Sequence, residues 1–318
     1  MLKKAVLAIG GNALIEEGQK GTVEEQFEVA KRTCTHIVGM ITEGWNIALT
    51  HGNGPQIGHI LRRVELSSPE VYPLPLDVCG AESQGLIGYI LQQTLNSCMI
   101  TCSCPHKKIV TVLTQVVVNE NDPAFENPSK PIGSRYDKET AQKLMEREKW
   151  IMKEDAKGTW RRVVASPEPI EIVEIDIITK LFEDKEGVIT ICVGGGGIPV
   201  TRDKETGLLR GVDHAVIDKD LASGLLAQKM KADLFLIATN VEKVALNFGK
   251  SNQQWLDSMN VKEAEKYLAE GHFLPGSMAP KVTAAIRYLL TGGKQVIITS
   301  VEKIGEAIKG ETGTNITI

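Results

Sequence analysis

The feature that most constrains the fold of this chain is a repeated alternation of short apolar runs with helical patterns. Residues 3–9 (KKAVLAI) and 46–50 (NIALT) each precede a glycine turn and a helical stretch. The second half repeats the alternation, with apolar runs at 188–193, 232–238 and 295–299. Strands that alternate with helices form a mainly parallel sheet covered on both faces. The pattern therefore predicts an α/β fold, a three-layer αβα sandwich around a central, mainly parallel sheet.

Helix boundaries can be predicted from capping residues. Thr22 and Glu25 have the spacing of a capping box, and Gly44 ends the same helical pattern. Pro55 suits the start of the next helix, because the first turn has no use for its missing N–H. Further helices are predicted from about 220 and near 261–270, 278–291 and 301–309.

The middle of the chain breaks this rhythm. Residues 120–170 are polar and punctuated by prolines, and they contain one long charged helical pattern from about 138 to 155. Such a stretch is typical of an insertion or lid rather than of sheet. We therefore expect a small lid subdomain that protrudes from a single domain spanning residues 1–318.

Composition and charge exclude several classes of function. With 318 residues and 42% hydrophobic content, the chain can bury a large core, and its formal net charge of −4 leaves no broad basic face for nucleic acid. No apolar run approaches the roughly 20 residues of a membrane span. The first apolar run is broken by Gly10 and Gly11, too early for an export segment. Six cysteines without a C-x-x-C pair fit a reduced cytoplasm.

Three glycine-rich turns follow predicted strands. They are GGN at 10–12, HGNGPQ at 51–56 and GGGG at 194–197. Any one of them could be an ordinary tight turn, but three together indicate backbone N–H groups that approach an anion. Neither the Walker loop nor the G-x-G-x-x-G dinucleotide pattern is present. A nicotinamide enzyme is therefore not expected.

Three lysines stand in unusual sequence contexts. Lys130 lies between prolines, Lys219 lies in VIDKD (216–220), and Lys281 lies at a predicted helix start, where a cation opposes the helix dipole. Each could be a solvated surface lysine. Asp218 and Asp220 could likewise be no more than helix-starting residues.

Histidines and cysteines form no recognisable catalytic set. His51 and His214 have no metal-binding or nucleophile motif around them, so structural roles are favoured for both. The cluster Cys98, Cys102 and Cys104 lacks a second pair and the usual metal spacing. No resident metal site is predicted.

Taken together, the motifs resemble those of the carbamate kinases, members of the amino acid kinase superfamily. The similarity covers essentially the whole chain, because six motifs occur in the family's order and spacing. These motifs are GGNAL, HGNGPQIG, NPSKPIG, VGGGGIPV, VDHAVIDKDLAS and GSMAPKV.

The resemblance implies reversible phosphoryl transfer between Mg-ATP and carbamate, giving ADP and carbamoyl phosphate. It implies that residues 1–185 bind the carbamoyl substrate and carry the lid at about 120–170, and that residues 186–318 bind the nucleotide. Mg²⁺ is expected to arrive on the nucleotide phosphates, with no metal-binding residues of the chain itself. A cytoplasmic homodimer that makes ATP during arginine or related catabolism is also implied.

The resemblance also implies roles for individual residues. The turns that hold the carbamoyl and phosphoryl oxygens correspond to Gly10, Gly11, Asn12, Gly52 and Asn53. The charged catalytic residues correspond to Lys130, Lys219, Asp220 and Lys281. The nucleotide contacts correspond to Lys219, Val244, Met278 and Lys281, with the 240–248 stretch near the adenosine.

One position departs from the family pattern, and two alternatives remain open. Asn240 stands where the family commonly has an aspartate, which puts the contacts near the adenosine in doubt. The first alternative is another superfamily kinase, acting on acetylglutamate, aspartate, glutamate or UMP. The second is an inactive nucleotide-binding regulator, although such a protein would be expected to have lost the three lysines.

Overall fold

The computed structural model describes residues 3–16, 18–68, 70–104, 107–155, 158–184 and 187–318, apart from the side chain of Asn12. Its α-helices, in chain order, are α1 (Val23–Thr42), α2 (Gly54–Ser67), α3 (Leu76–Thr101), α4 (Lys138–Glu148), α5 (Ile175–Phe182), α6 (Lys219–Lys229), α7 (Val261–Ala269), α8 (Met278–Leu290) and α9 (Ile304–Ala307). Short 3-10 helices lie at Gly11–Ala13, Pro123–Phe125, Gly194–Gly196 and Val301–Lys303.

The strands of the described residues are β1 (Lys3–Ile9), β2 (Trp45–His51), β3 (Ile109–Thr111), β4 (Gln115–Val117), β5 (Lys130–Tyr136), β6 (Met152–Glu154), β7 (Trp160–Val164), β8 (Glu171–Ile172), β9 (Ile189–Ile191), β10 (Ile198–Arg202), β11 (Leu209–Gly211), β12 (Leu234–Thr239), β13 (Val244–Leu246), β14 (Gln254–Leu256), β15 (Ser258–Asn260), β16 (Val296–Ser300) and β17 (Thr314–Thr317). The largest sheet has eight strands in the order β15-β17-β16-β12-β1-β2-β9-β3. Every neighbouring pair in it is parallel except β16 and β17. The predicted mainly parallel sheet is confirmed.

The two faces of this sheet bury alternate residues of the same strands. In β1, Val6 and Ala8 belong to a core cluster that includes residues of α6 and α8. Leu7 and Ile9 belong to a second cluster that includes residues of α1 and α3. Because successive side chains of a strand point to opposite faces, a fully apolar strand needs a helical layer on each side. The three-layer αβα sandwich follows from this burial.

Local helix signals agree with the structure at the first helix. The Thr22 hydroxyl accepts a hydrogen bond from the Glu25 N–H at 3.2 Å, and the Glu25 carboxylate accepts one from the Thr22 N–H at 2.9 Å. The predicted capping box is therefore present. Pro55 lies in the first turn of α2.

The expectation that residues 120–170 contain no sheet is wrong. Strands β5, β7 and β6 form a three-stranded antiparallel sheet, and the predicted 138–155 helix ends at Glu148. Lys149 adopts a left-handed conformation with φ +57°, which stops the helix. Beyond it, Met152 is buried and its strand pairs with β7, a packing contact that outweighs the helical charge pattern.

This small sheet packs against the second helix. Ile132 of β5 and Val164 of β7 share an apolar cluster with Ile57 and Leu61 of α2. The contact brings Lys130, the first residue of β5, to the end of the main sheet where the glycine turns lie. Two further sheets, β11-β10-β4-β8 and β13-β14, complete the described strands.

Candidate active site

The three glycine-rich turns meet at the carboxyl ends of the strands of the main sheet. They follow β1, β2 and β9, which are adjacent strands with parallel directions. A Cβ atom on Gly52 would lie 3.1 Å from the backbone nitrogen of Gly11, and one on Gly195 would lie 2.1 Å from Nδ2 of Asn53. Glycine relieves crowding at both positions, so the sequence pattern reflects close packing of these turns.

A cavity of about 620 Å³ opens beside these turns and beneath the small sheet. Five of the predicted site residues line it: Gly52, Asn53, Lys130, Lys219 and Asp220. The carboxyl edge of a parallel sheet is where α/β proteins bind their ligands. The position and the polar lining make this cavity the candidate active site.

The first turn of α6 places a buried carboxylate between two lysines. Nζ of Lys219 lies 2.8 Å from Oδ1 of Asp220, and Nζ of Lys281 donates a hydrogen bond to Oδ2 of the same residue at 2.9 Å. The side chains of Lys219 and Lys281 are 12% and 13% exposed. One acid therefore contacts two cations, and its role in orienting them stays a prediction.

Burial and charge have opposite effects on these groups. Burial disfavours the ionised form of Asp220, but the charges of Lys219 and Lys281 and the hydrogen bond from Lys281 outweigh it and hold the pKa of this carboxyl well below its usual range. Burial also lowers the pKa of Lys219, an effect that Asp220 opposes. The described residues offer Nζ of Lys219 no acceptor in hydrogen-bonding geometry. Its N–H groups therefore remain suited to a bound anion.

The third predicted lysine reaches the site from the small sheet. Nζ of Lys130 donates a hydrogen bond to Oδ2 of Asp218 at 2.7 Å. Asp218 also caps α6, since its Oδ1 accepts the N–H of Asp220 at 2.9 Å. The aspartate that the sequence allowed to be only a cap is thus also an ion-pair partner.

His51 lies below the glycine turns and does not line the cavity. It is buried, and burial lowers its pKa to about 4, with a smaller contribution from the charge of Lys219. Its Nδ1 faces the carbonyl of Gly52 at 3.2 Å. The imidazole is therefore neutral near pH 7 and supports the turn. His214 lies on the surface beside Asp213.

A second cavity, of about 240 Å³, lies close to the first. Aromatic and apolar side chains dominate its lining, which includes Phe248, Phe273 and Met278 together with Asn240. Gly276 lines the first cavity while the next two residues line the second, so this segment connects them.

Lys281, which contacts Asp220, lines neither of these two cavities, and the same is true of Val244, Gly10 and Gly11. Val244 is fully buried in the core, although its neighbours Lys243 and Ala245 line the second cavity. Gly10 lines a separate small cavity, and Gly11 packs against Pro55. The side chain of Asn12 lies outside the described residues.

The structure adds charged residues that sequence reasoning missed. Arg62 and Arg161 line the first cavity, and Nη2 of Arg161 donates a hydrogen bond to the carbonyl of Gly133 at 3.1 Å. Both come from segments rich in ordinary surface charges, where no sequence signal separates a cavity arginine from a solvated one. Among the described residues, no group of three histidine, cysteine or acidic side chains forms a metal site.

Comparisons with known proteins agree with the geometry. Residues 3–300 match the Amino acid kinase family. The carbamate kinase of Pyrococcus furiosus is 47% identical over 318 residues, which cover 99% of both chains. The carbamate kinase from Giardia lamblia bound to AMP-PNP superposes with a TM-score of 0.91 at 39% identity, with coverage of 99% of this chain and 98% of that one. A carbamate kinase-like protein of Escherichia coli is 46% identical, with 99% of both chains covered.

Proposed function

Because the chain belongs to the carbamate kinases of the amino acid kinase family, we propose that it transfers a phosphoryl group reversibly between Mg-ATP and carbamate, giving ADP and carbamoyl phosphate. The observation that carries this proposal is the pairing of Asp220 with both Lys219 and Lys281 beside the glycine turns. Overall identity is not sufficient, since a relative named only carbamate kinase-like is as similar as the named kinases.

The site has the parts that phosphoryl transfer needs. Transfer depends on positioning and on neutralising the charge of the moving oxygens. A carbamate oxygen is already anionic, so it attacks without a general base, and a neutral buried His51 is consistent with this. Two unit charges 4 Å apart interact by about 4 kcal/mol at an effective dielectric near 20. Repulsion between the anionic reactants is therefore a barrier that several lysines are suited to lower.

Each charged residue has its own task in this mechanism. Lys219 and Lys281 stabilise the negative charge of the nucleotide and transferring phosphoryl oxygens, and Asp220 keeps their ammonium groups in place. Lys130 brings a further cation from the small sheet to the transferring group. The backbone N–H groups of the glycine turns, with Gly52 and Asn53 in the cavity wall, hold the substrate oxygens.

The two halves of the chain divide the substrates in this proposal. Residues 1–185 bind carbamate or carbamoyl phosphate, and the 120–170 segment acts as a lid. Residues 186–318 bind the nucleotide, with its adenosine in the second cavity beside Met278 and Asn240. Mg²⁺ arrives with the nucleotide as part of the substrate. The connection between the two cavities through Gly276 supports this arrangement.

Direction, location and assembly belong to the same proposal. Carbamoyl phosphate is a mixed anhydride, which favours ATP formation during arginine or related carbamoyl-compound catabolism in the cytoplasm. No described helix has the length and apolar content to cross a bilayer. We propose a homodimer, supported by the exposed Tyr89 on α3 and by the edge strand β3 beside it.

A coupled assay tests the function. Purified protein with ADP, Mg²⁺ and carbamoyl phosphate should produce ATP, whereas ATP with acetylglutamate or UMP should give no ADP. The Lys130→Ala variant should lose turnover far more than it loses ADP affinity, because Lys130 acts on the transferring group. Absence of ATP formation by the folded wild type would refute the proposal.

A further inference from the structure

Asp218 has two bonding roles that involve different oxygens. Oδ1 caps α6 by accepting the N–H groups of Asp220 and Leu221 at 2.9 and 3.4 Å. Oδ2 accepts a hydrogen bond from Nζ of Lys130 at 2.7 Å. A cap needs only one oxygen, and an asparagine or serine provides it equally well. The second oxygen and the full negative charge therefore require a separate explanation.

The backbone around this ion pair is firmly connected. Lys130 is paired with Val164 across the small sheet, and the next residue, Ala165, forms a bridge with Ala215 just before α6. The N–H of Val216 donates to the carbonyl of Ala165 at 3.0 Å. The root of the lid is thus bonded to the segment that leads into α6. Exchange of partners by the Lys130 side chain needs only rotation about its own bonds.

The contacts around Asp218 allow Lys130 to exchange this carboxylate for another anion. Asp220 has two lysine partners, whereas Asp218 has Lys130 and the N-terminal N–H groups of α6. Those N–H groups and the helix dipole can stabilise the carboxylate when the lysine leaves. The Lys130 side chain is 31% exposed and lines the cavity, so an entering anion can reach it.

We propose that Asp218 is a positioning residue that holds the Lys130 ammonium until the phosphoryl group of the substrate displaces it. The inference rests on the proposed function, because it takes that phosphoryl group to be the one on carbamoyl phosphate. Asp218 then competes with the substrate for Lys130. This competition weakens substrate binding, but it keeps the Lys130 ammonium group beside the place where the phosphoryl group reacts.

Steady-state kinetics of Asp218→Asn test the competition. The asparagine keeps the cap and removes the competing charge, so KM for carbamoyl phosphate should fall by about tenfold while kcat does not rise. Asp137→Asn is the matched control, because Asp137 caps α4 through the Thr140 N–H at 2.8 Å and does not line the cavity that contains Lys130 and Lys219. Its KM should stay at the wild-type value. An unchanged or higher KM in a folded Asp218→Asn would overturn the proposal.

A double-mutant cycle separates this role from a purely structural one. Inorganic phosphate should bind more tightly to Asp218→Asn than to wild type. The binding is measured by the rise in unfolding temperature that phosphate produces. In a Lys130→Ala background the same substitution should give a much smaller gain, because only direct repulsion by Asp218 is then relieved. Equal gains in both backgrounds would contradict the exchange.

Two further experiments keep the test valid if the variant does not fold or if wild type shows no turnover. If Asp218→Asn does not fold, Asp218→Ser supplies a cap without the charge and should give the same tightening. The phosphate cycle needs no turnover, so it tests the Lys130–Asp218 exchange even if wild type makes no ATP from carbamoyl phosphate. That last result would refute the proposed function alone.

Discussion

At the scale of single residues, Asp220 decides how the charges of the site are arranged. It is buried, and it contacts Lys219 and Lys281 at 2.8 and 2.9 Å through different oxygens. Without its negative charge, two ammonium groups would lie close together with little access to water. Removing one partner of a buried ion pair is costly for this reason, by about 3–5 kcal/mol.

We therefore predict that Asp220→Asn retains its helix and loses most of its activity. The cap on α6 comes from Asp218, so circular dichroism should be close to that of wild type. Turnover in the coupled assay should fall by about 100-fold or more, which corresponds to about 2.7 kcal/mol of lost transition-state stabilisation when the two lysines are no longer held in place. Asp233→Asn is the control, because its pair with Lys294 is partly exposed and an asparagine oxygen can still accept the Lys4 N–H that Oδ2 of Asp233 accepts at 2.9 Å. Near-normal turnover of Asp220→Asn would remove this acid from the mechanism.

At the scale of elements, the glycine run 194–197 sets the position of the start of α6. Gly195, Gly196 and Gly197 have φ of +65°, +95° and +90°, a region that other residues rarely adopt. A Cβ on Gly196 would lie 2.5 Å from the carbonyl oxygen of Ile217, directly before the cap of α6. The run therefore allows the chain before Asp218 to pass close to the sheet.

This contact gives a prediction for Gly196→Ala. Its methyl group meets backbone rather than a flexible side chain, so the α6 start must move, and stability should fall by about 2–4 kcal/mol together with turnover. Gly207→Ala is a matched control: φ there is +73°, but a Cβ would meet nothing within 4 Å. It should lose about 1–2 kcal/mol and keep normal turnover. Urea unfolding and the coupled assay would compare the two, and equal effects would show that φ alone matters.

At the scale of the whole molecule, folding brings together turns that are far apart in the chain. Residues 10, 52 and 194 become neighbours because β1, β2 and β9 are adjacent in the sheet. The small sheet β5-β7-β6 and α6 then complete the cavity through Lys130 and Lys219. His51 is buried beneath these turns, and its protonation makes the stability of the fold depend on pH.

We predict an acid-sensitive stability that originates from His51. Its pKa falls from 6.5 to about 4 on burial, so between these values the unfolded chain binds the proton and the folded chain does not. Stability should therefore decrease as the pH falls from 6.5 to 4, by about 3 kcal/mol in total.

Urea unfolding at several pH values measures this effect. His51→Gln should lose the His51 part of the slope between pH 4 and 6.5, whatever its absolute stability. His214→Gln, at the surface, is the control and should retain the slope. A slope that persists unchanged in His51→Gln would assign the acid sensitivity to other groups.

Much of the fold and part of the site could be predicted from local patterns. The main strands, the Thr22 capping box and the glycine turns depend on neighbours in sequence, and these agree with the structure. The end of α4 did not, because Met152 is buried by a strand partner that no local pattern reveals. Val244, which was expected at the nucleotide, is fully buried, while its neighbours Lys243 and Ala245 line the second cavity.

The sequence by itself determined the class of fold and the chemistry available, since periodicity of apolar residues selects strands and helices and since motif order indicates the family. Only the tertiary structure decided which charges meet. Asp218 and Asp220 are two residues apart, yet one pairs with Lys130 and the other with Lys219 and Lys281. The reason is that Lys130 and Lys281 come from β5 and α8, which lie far from Asp218 and Asp220 in the sequence and meet the start of α6 only once the core has packed.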